Sequence, residues 1–382
     1  MSKRKILVIL ESRATYGYAK NVMKVMQGFN DLEILTLVTG MHLVPELGNS
    51  IDLIRQDGFD ITATVPLHGG DSSSGAWSKA LGAGIAGFAE AFESLQPDII
   101  LLSGDRIETF GCAIAAAYMG IPLAHIQAGD KSGHIDDSAR HAIGKFAHIH
   151  LASCEDSVNR LTKMGEQEFR IHNVGAPQLD NIVDANYSDK SLIIGSQTFD
   201  LSEPYILLVQ HPVMAELGQA GEQVTMTLEA CRKSGIPTFI IYPNSDQGYK
   251  KIVETIEKAR SSDVIVLSNV EREAYLQLLA NCSVLVGNSS SGILEAPSFG
   301  IPVINIGNRQ RGRPQADNIL NVGYGQEEIA AMISFALNDP DYQRKVSGAV
   351  NPYGDGKSSL RICNILSEVK LDQTLIDKDC TY

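Results

Sequence analysis

The feature that most constrains this chain is the alternation of short apolar segments with longer helical ones. Segments such as Ala76–Leu95 and Ile107–Met119 have apolar residues at helical spacing and separate the short runs. Near-continuous apolar strands are typical of parallel sheets covered on both faces, and strand–helix alternation indicates βαβ units. The strands predicted in the first half are Lys5–Leu10, Leu32–Val38, Ile61–Pro66, Asp98–Ser103, Leu123–Gln127 and His148–Ala152.

The same alternation begins again after Pro204, which predicts a second domain. The polar stretch Ala185–Glu203 is interpreted as the linker. We therefore expect an α/β fold of two Rossmann-like domains, residues 1–185 and 186–356, with a cleft between them. Residues 371–382 are a polar tail that is expected to fray. The strands predicted in the second half are Tyr205–Val209, Thr238–Tyr242, Val264–Leu267, Val284–Val286 and Val303–Ile306.

Charge and composition exclude several classes of function. The net charge of −13 over 382 residues argues against a nucleic acid or an anionic membrane as partner. No apolar run is long enough to span a bilayer, and the start of the chain lacks the apolar core of a signal peptide. Six widely spaced cysteines without a CxxC pair indicate reduced thiols. These features predict a cytoplasmic enzyme or binding protein.

Neither a dinucleotide cofactor nor a metal is expected. The turn after the first strand reads ESRATYG and lacks the GxGxxG fingerprint. His148 and His150 alternate along one strand, but no third ligand stands at a suitable spacing. Packing and hydrogen bonding are the predicted roles of these two histidines.

Acidic and basic residues follow two neighbouring strands of the first domain. Asp105 and Arg106 come directly after one strand. Since the carboxyl ends of parallel strands meet at one edge of a sheet, these groups should share a small volume, as proton transfer requires. A helix cap is the alternative for Asp105 and the preferred interpretation of Asp137. The segment HIQAGDKSGHIDDSARH, after the next strand, adds Asp130, Asp136, Asp137, Arg140 and His141.

A serine-rich turn in the second domain predicts an anion site. The strand VLVG leads directly into NSSSGILEAPSFG, Asn288–Gly300. Free backbone N–H groups, hydroxyl donors and a helix dipole all favour a phosphate there, although a single serine N-cap would explain part of the pattern. Glu295 could accept hydrogen bonds from ribose hydroxyls. The other candidates at strand ends are His211, Arg309, Arg311 and Arg313.

Taken in order, these motifs resemble a known family. The chain reads R-A-x-Y-G, TGMHL, GDR, HIxxGDxxGxIDDSxRH, QHP, PNSD, NSSSGIxEAPSFGIPVINIG and RQRGR. This order resembles the hydrolysing UDP-N-acetylglucosamine 2-epimerases of sialic acid and nonulosonic acid pathways, from about Lys5 to Leu366. The resemblance implies the glycosyltransferase-B-like architecture, with the first domain on the sugar side and the second on the nucleotide side. It also implies a final helix, residues 357–370, that crosses back to the first domain, and a homodimer or homotetramer.

The resemblance also implies particular site residues. The catalytic positions fall on Asp105, Arg106, Asp136 and His211. His42 matches a further residue of the cleft, and Gln127 lies where the family commonly has an acid. The nucleotide positions fall on Arg13, Asn244, Ser289, Ser290, Glu295 and Arg309.

Two departures from the family pattern bear on the chemistry. Thr15 stands where an aspartate is common, and glutamine cannot titrate at position 127. Asp130 or Asp136 would then have to carry the proton transfer. The same changes could instead reflect a different sugar or nucleotide, such as a 2,4-diacetamido-trideoxyhexose.

The reaction that the resemblance implies has two steps. The nucleoside diphosphate is eliminated across sugar carbons 1 and 2 to give a glycal, and water then adds with inversion at carbon 2. UDP-N-acetylglucosamine would give UDP and N-acetylmannosamine; a UDP-sugar is favoured and a GDP-sugar is possible. The alternatives are a non-hydrolysing UDP-N-acetylglucosamine 2-epimerase, a retaining glycosyltransferase and a nucleotide-sugar-binding regulator without turnover.

Overall fold

A computed structural model describes residues 3–44, 50–67, 75–131, 135–183, 186–243, 248–268 and 270–381. The side chains at positions 14, 135, 136, 181 and 183 are outside this description. The chain forms two compact units, Met1–Asn181 together with Tyr353–Tyr382, and Ile182–Pro352. In the described ranges, no helix has the length and apolar character needed to cross a membrane.

The first unit is built on a seven-stranded parallel sheet, in the order β3-β2-β1-β4-β5-β6-β7. Its strands are β1 (Arg4–Leu10), β2 (Leu32–Thr39), β3 (Ala63–Val65), β4 (Ile99–Ser103), β5 (Leu123–Ile126), β6 (Ile149–Ala152) and β7 (Ile171–Asn173). Every residue of β4, β5 and β6 is buried. This burial explains the continuous apolar runs in the sequence, since both faces of these strands are covered.

Helices cover both faces of this sheet and form two hydrophobic clusters with it. The last long helix of the chain packs its Ile362, Cys363 and Leu366 into the cluster that contains Ile6. The helices of this unit are α1 (Arg13–Met26), α2 (Ile51–Gln56), α3 (Ala76–Leu95), α4 (Ile107–Tyr118), α5 (Ile135–Phe146), α6 (Glu155–Lys163), α15 (Ser358–Glu368) and α16 (Gln373–Ile376). Helix α7 (Asp180–Val183) spans the boundary between the units in the sequence.

The second unit has a six-stranded parallel sheet, in the order β12-β11-β10-β13-β14-β15, and a separate hairpin of β8 and β9. Its strands are β8 (Ser191–Ile194), β9 (Gln197–Asp200), β10 (Ile206–Val209), β11 (Thr238–Ile241), β12 (Val264–Leu267), β13 (Val284–Gly287), β14 (Val303–Ile306) and β15 (Ile319–Val322). Its helices are α8 (Ala220–Arg232), α9 (Tyr249–Ala259), α10 (Arg272–Asn281), α11 (Ser291–Leu294), α12 (Ala296–Phe299), α13 (Gln326–Asn338) and α14 (Pro340–Ser347).

The stretch interpreted as a linker contains the antiparallel hairpin β8–β9. Leu192 and Leu201 are buried in a core cluster of the second unit, so this segment is part of the domain. The two-residue turn Gly195–Ser196, with Gly195 at φ +60°, is the hairpin signal that the polar composition obscured.

The polar tail is ordered where fraying was expected. Residues Gln373–Ile376 form α16, and Leu375 is buried. The buried Arg170 side chain donates to the carbonyl oxygens of Leu375 and Asp377, both at 2.6 Å. Backbone carbonyls that accept from a buried guanidinium hold the tail in spite of its polar composition.

Candidate active site

The ends of β1, β4 and β5, neighbouring strands of the first unit, bring the predicted acidic and basic groups together. Arg140 on α5 forms a short ion pair with Asp105, which follows β4. The same guanidinium donates to the Gln127 carbonyl oxygen at 3.2 Å. Asp105 is therefore joined to the end of β5, and the helix-cap alternative is wrong, because Arg106 occupies the N-cap of α4.

His125 on β5 holds the turn that leads to Asp105. Its Nε2 donates to the Gly104 carbonyl oxygen at 2.7 Å. Burial, opposed by this hydrogen bond, lowers the pKa of His125 to about 3. The neutral ring therefore acts as a fixed donor and does not titrate near neutral pH. The position of the turn at Gly104–Asp105 depends on this histidine.

His42 and Arg13 lie at the ends of the neighbouring β2 and β1. His42 is fully buried and its Nδ1 is hydrogen-bonded to the Ser50 hydroxyl at 2.7 Å. Burial lowers the pKa of His42. Arg13 is exposed at the first position of α1, whose N-cap is Ser12. Both residues thus follow strands of the sheet, and their roles at the site stay predictions from the resemblance.

Asp130 has a clear structural partnership. Its Oδ1 accepts from the Ser157 hydroxyl at 2.7 Å and from the Ser153 hydroxyl in a shorter bond. Asp137 lies inside α5, so its interpretation as a helix cap is wrong. Asp136 belongs to the same helix, and its side chain is outside the described part of the structure.

Gln127 has a backbone conformation that is uncommon for a side-chain-bearing residue, with φ +61°. It is buried directly after β5. An unfavourable backbone conformation persists only where the surrounding structure imposes it, and such conformations are often found at functional sites. The positive φ therefore favours a functional role for position 127, even though the glutamine amide cannot exchange a proton.

Asn288 organises the candidate nucleotide site of the second unit, at the ends of β10, β13 and β14. Its Oδ1 accepts from the His211 amide at 2.7 Å, and its Nδ2 donates to the His211 carbonyl oxygen at 2.9 Å. Its own carbonyl oxygen accepts from Arg309 at 3.1 Å and from Gln310 at 2.9 Å. The predicted residues His211 and Arg309 are thus brought together.

The close approach at β13 requires glycine. Gly287 has φ +128°, and a Cβ there would lie 2.1 Å from the Val209 carbonyl oxygen. This contact brings the ends of β10 and β13 together immediately before Asn288. The serine turn is therefore positioned by the sheet itself.

The helix after the serine turn is shorter than expected. It is broken at Glu295 into α11 and α12, each of four residues. A helix dipole therefore contributes less to anion binding than the sequence suggested, and the hydroxyl and N–H donors contribute more. Ser289 and Ser290 are half-buried in this turn.

Glu295 is buried and forms a 2.6 Å ion pair with Arg272 through Oε1. Its Oε2 is buried and has no hydrogen-bond partner among the described residues. A carboxylate oxygen in this state is suited to accept from a ligand hydroxyl. Arg272 was missed by the sequence analysis, because it lies at the start of α10, far from the serine motif.

The imidazole of His211 is neutral. Burial, together with the nearby Arg309 guanidinium, lowers its pKa to about 3. His211 can therefore offer a hydrogen bond to a diphosphate but no positive charge. Arg309, by contrast, brings a positively charged guanidinium to the end of β14, where it donates to the Asn288 carbonyl oxygen.

Other predicted residues can be placed in the structure or lie outside its described part. His148 accepts from the Leu123 amide at 3.1 Å and His150 contacts Glu166 at 2.9 Å, which confirms their structural role. No three His, Cys, Asp or Glu side chains in the described ranges form a group that could hold a metal ion. Asn244 lies outside the described residues. Buried polar residues near the strand ends that the sequence analysis did not single out include Glu11, Glu108, His125 and Gln310.

Comparison with known proteins places this site in a family. A family model described as UDP-N-acetylglucosamine 2-epimerase matches residues 24–367. The UDP-N,N'-diacetylbacillosamine 2-epimerase (hydrolyzing) of Legionella pneumophila is 36% identical, covering 99% of this chain and 100% of its own length. The GDP/UDP-N,N'-diacetylbacillosamine 2-epimerase (hydrolyzing) of Campylobacter jejuni is 32% identical, covering 84% of this chain and 85% of its own length.

A solved structure shows the same fold. The crystal structure of the UDP-GlcNAc 2-epimerase from Neisseria meningitidis, bound to UDP-GlcNAc, matches with a TM-score of 0.78 at 19% identity, covering 95% of this chain and 99% of that one. The predicted fold class of Rossmann-like α/β domains is confirmed. This chain belongs to the UDP-N-acetylglucosamine 2-epimerase family.

Proposed function

We propose that this chain is a hydrolysing 2-epimerase of a nucleoside-diphosphate N-acetylamino sugar. The observation that carries the proposal is the full-length match to a relative named as a hydrolysing UDP-N,N'-diacetylbacillosamine 2-epimerase. The Campylobacter relative is named for the same sugar on GDP or UDP. We therefore favour UDP-N,N'-diacetylbacillosamine as substrate, with the GDP-sugar and UDP-N-acetylglucosamine as the alternatives.

The second unit supplies the leaving-group side of the proposed reaction. Ser289 and Ser290 offer hydroxyl and N–H donors, and Arg309 offers a positive charge that Asn288 holds in place. Carbon 2 of the sugar is not next to a carbonyl, so its proton is barely acidic. Stabilisation of the departing diphosphate has to carry much of the barrier, and fixed donors of this kind contribute roughly 3–4 kcal/mol each.

The first unit supplies the groups for proton transfer. In the proposed elimination, a carboxylate takes the proton from carbon 2 while the bond between carbon 1 and the diphosphate oxygen breaks. Water then adds its hydroxyl to carbon 1, and a carboxylic acid delivers a proton to the opposite face of carbon 2. We assign these roles to Asp105 and Asp136, which the resemblance places at the reaction site; the Asp130 carboxylate accepts from two serine hydroxyls.

The proposal is tested by identifying products in deuterium oxide. We expect free nucleoside diphosphate and the free 2-epimer in equal amounts, with one deuterium at carbon 2. An intact sugar nucleotide inverted at carbon 2 would identify a non-hydrolysing epimerase. Transfer to an acceptor without deuterium would identify a glycosyltransferase, and binding without turnover would identify a regulator.

A substitution at Asp105 tests the assignment of the base and acid pair. Asp105→Asn keeps the size of the side chain and removes its titration, so turnover should fall by roughly 10²–10⁴-fold. UDP affinity should change by less than about threefold, because Asp105 is not one of the proposed nucleotide contacts and all of these except Arg13 are in the other unit. Asp98→Asn, at the start of β4, is the control. Near-normal turnover in Asp105→Asn would remove Asp105 from the mechanism.

A further inference from the structure

Glu11, directly after β1, has a carboxyl group in an unusual environment. Its side chain is 0% exposed. Among the described residues, neither of its carboxyl oxygens has a hydrogen-bond partner of normal geometry. An ionised carboxylate in such surroundings would be strongly unfavourable. Burial raises the pKa of Glu11 to about 8; the Thr15 hydroxyl and Arg106 lower it, and the Glu108 carboxylate raises it.

Glu108, in the first turn of α4, brings a second buried carboxyl group to the same place. Its side chain is 1% exposed, and its Oε2 accepts from Arg106 Nε at 3.3 Å. The turn after β2 closes over both glutamates. Gly40 has φ +57°, and a Cβ there would lie 2.6 Å from Glu108 Oε1 and 2.8 Å from the Glu11 carbonyl oxygen. Glycine is therefore required for this close approach.

Arg106 connects this buried pair to the surface of the unit. Its side chain is 37% exposed, whereas Glu108 beneath it is 1% exposed. In the described part of the chain, the titratable and charged groups that act on Glu11 are Glu108, Arg106 and the Cys112 thiol, on α4 or its cap. Helix α1 contributes the Thr15 hydroxyl, and the turn after β2 contributes backbone. One guanidinium cannot neutralise two ionised carboxylates, so charge balance favours one bound proton.

We propose that Glu11 and Glu108 form a carboxyl pair that holds one proton, and that loss of this proton draws the Arg106 guanidinium inward, away from the sugar nucleotide. Glu11 is then a positioning residue, because it acts through Arg106. The link to the sugar nucleotide rests on the proposed function, whereas the bound proton does not. The proton leaves to solvent when the pair ionises, so no other reactant is needed.

The proton held by the carboxyl pair can be observed without any enzymatic assay. Infrared difference spectra of the full chain, recorded between about pH 6 and pH 10, should show a protonated carboxyl band at neutral pH that disappears as the pH rises. Glu11→Gln should lack this band, and the control Glu93→Gln, on the exposed face of α3, should retain it. Absence of the band in the parent at neutral pH, or its persistence in Glu11→Gln, would overturn the carboxyl pair.

The effect on Arg106 is measured through the pH dependence of kcat and KM. In the parent, KM should rise by roughly tenfold per pH unit above about pH 8, with a smaller change in kcat. Glu11→Gln should lose this alkaline rise in KM, whereas Glu93→Gln should keep it. The same alkaline rise in Glu11→Gln and the parent would overturn the link to Arg106. If the parent has no epimerase activity, the proposed function fails, and the infrared result still decides the carboxyl pair.

Discussion

At the scale of single residues, Asn288 has the largest consequence for the candidate nucleotide site. Its side chain holds His211 through two backbone hydrogen bonds, and its carbonyl oxygen holds Arg309 and Gln310. The side chain is 1% exposed, so no water can replace these bonds easily. These hydrogen bonds explain how the neutral His211 and the charged Arg309, which follow separate strands, are held in a fixed geometry.

We expect Asn288→Ala to weaken UDP binding by about 10–100-fold, because a lost buried hydrogen bond costs roughly 1–3 kcal/mol and the partners are left unsatisfied. Isothermal titration calorimetry measures this change. Asn338→Ala, which removes a bond within α13 only, is the matched control and should bind UDP normally. Equal affinity of both variants would contradict the central role of Asn288.

His211 allows a prediction about pH. Its folded pKa of about 3 lies below the ordinary value, so the ring is neutral from about pH 4 upward. Its ring signals in NMR should not titrate between about pH 5 and pH 9. His211→Gln should lower kcat/KM and leave the shape of the pH profile unchanged. A histidine titration near pH 6.5 that disappears in His211→Gln would show that the His211 ring titrates at its ordinary pKa and would contradict its lowered pKa.

At the scale of elements, helix α5 is held at its middle and at its C-terminal end. In the middle of the helix, Arg140 binds Asp105 and the end of β5. At its end, Lys378 of the tail donates to the carbonyl oxygens of Gly144, at 3.1 Å, and Lys145, at 3.0 Å, and pairs with Glu166 at 2.8 Å. The tail therefore supports the helix that carries Arg140.

Lys378→Met should lower the apparent melting temperature by about 2–10 °C, because it removes an ion pair and several hydrogen bonds to helix carbonyls. Burial opposes ionisation of Glu166, but hydrogen bonds from His150, Lys378 and Lys145 hold its pKa well below the usual value of 4.5. Because the pKa of Glu166 is lower in the folded chain than in the unfolded chain, its ionised carboxylate stabilises the fold at a pH above the unfolded pKa. This stabilisation is lost as the pH falls. The difference between Lys378→Met and the parent should therefore shrink below about pH 4.

The exposed Lys370→Met is the control for this experiment, measured by differential scanning calorimetry over the same range of pH. Its melting temperature should equal that of the parent at every pH. A melting temperature of Lys378→Met equal to that of the parent at neutral pH would show that the tail does not support α5.

The elements that sequence predicted best are those with strong apolar runs, such as β1 and β4. The strands β7, β8, β9 and β15 were missed because they lie at sheet edges or in the separate hairpin and have at most one buried residue each, so they lack a continuous apolar run. Candidate site residues followed from the rule that ligands bind at the carboxyl ends of parallel strands. Glu11 was missed because the sequence does not reveal that a carboxyl group is buried without a partner. The roles assigned to Asp105 and Asp136 stay predictions.

At the scale of the whole molecule, the two units differ in how the chain builds them. The second unit is one continuous segment, Ile182–Pro352, whereas the first combines residues 1–181 with residues 353–382. The second unit contains its own parallel sheet and two core clusters. A segment of this size buries enough apolar surface to fold alone. Asp180 of the first unit, in contrast, accepts from the amides of Ser358 and Ser359, which lie far along the chain.

We therefore expect the isolated segment 182–352 to fold cooperatively and to bind UDP, because it contains Asn288, the serine turn, Glu295 and Arg309. Among the predicted nucleotide contacts in the described residues, the segment lacks only Arg13, which belongs to the first unit. Loss of one hydrogen bond to a charged group costs roughly 1.5–3 kcal/mol, so affinity should fall by about 10–150-fold. Arg13→Ala in the full chain should show a similar loss by calorimetry. If the segment folds by circular dichroism but fails to bind UDP while Arg13→Ala binds with this modest loss, other residues of the first unit contribute to the nucleotide site. If Arg13→Ala binds as tightly as the parent, the assignment of Arg13 is wrong, and the affinity of the segment alone measures what the serine turn and Arg309 contribute.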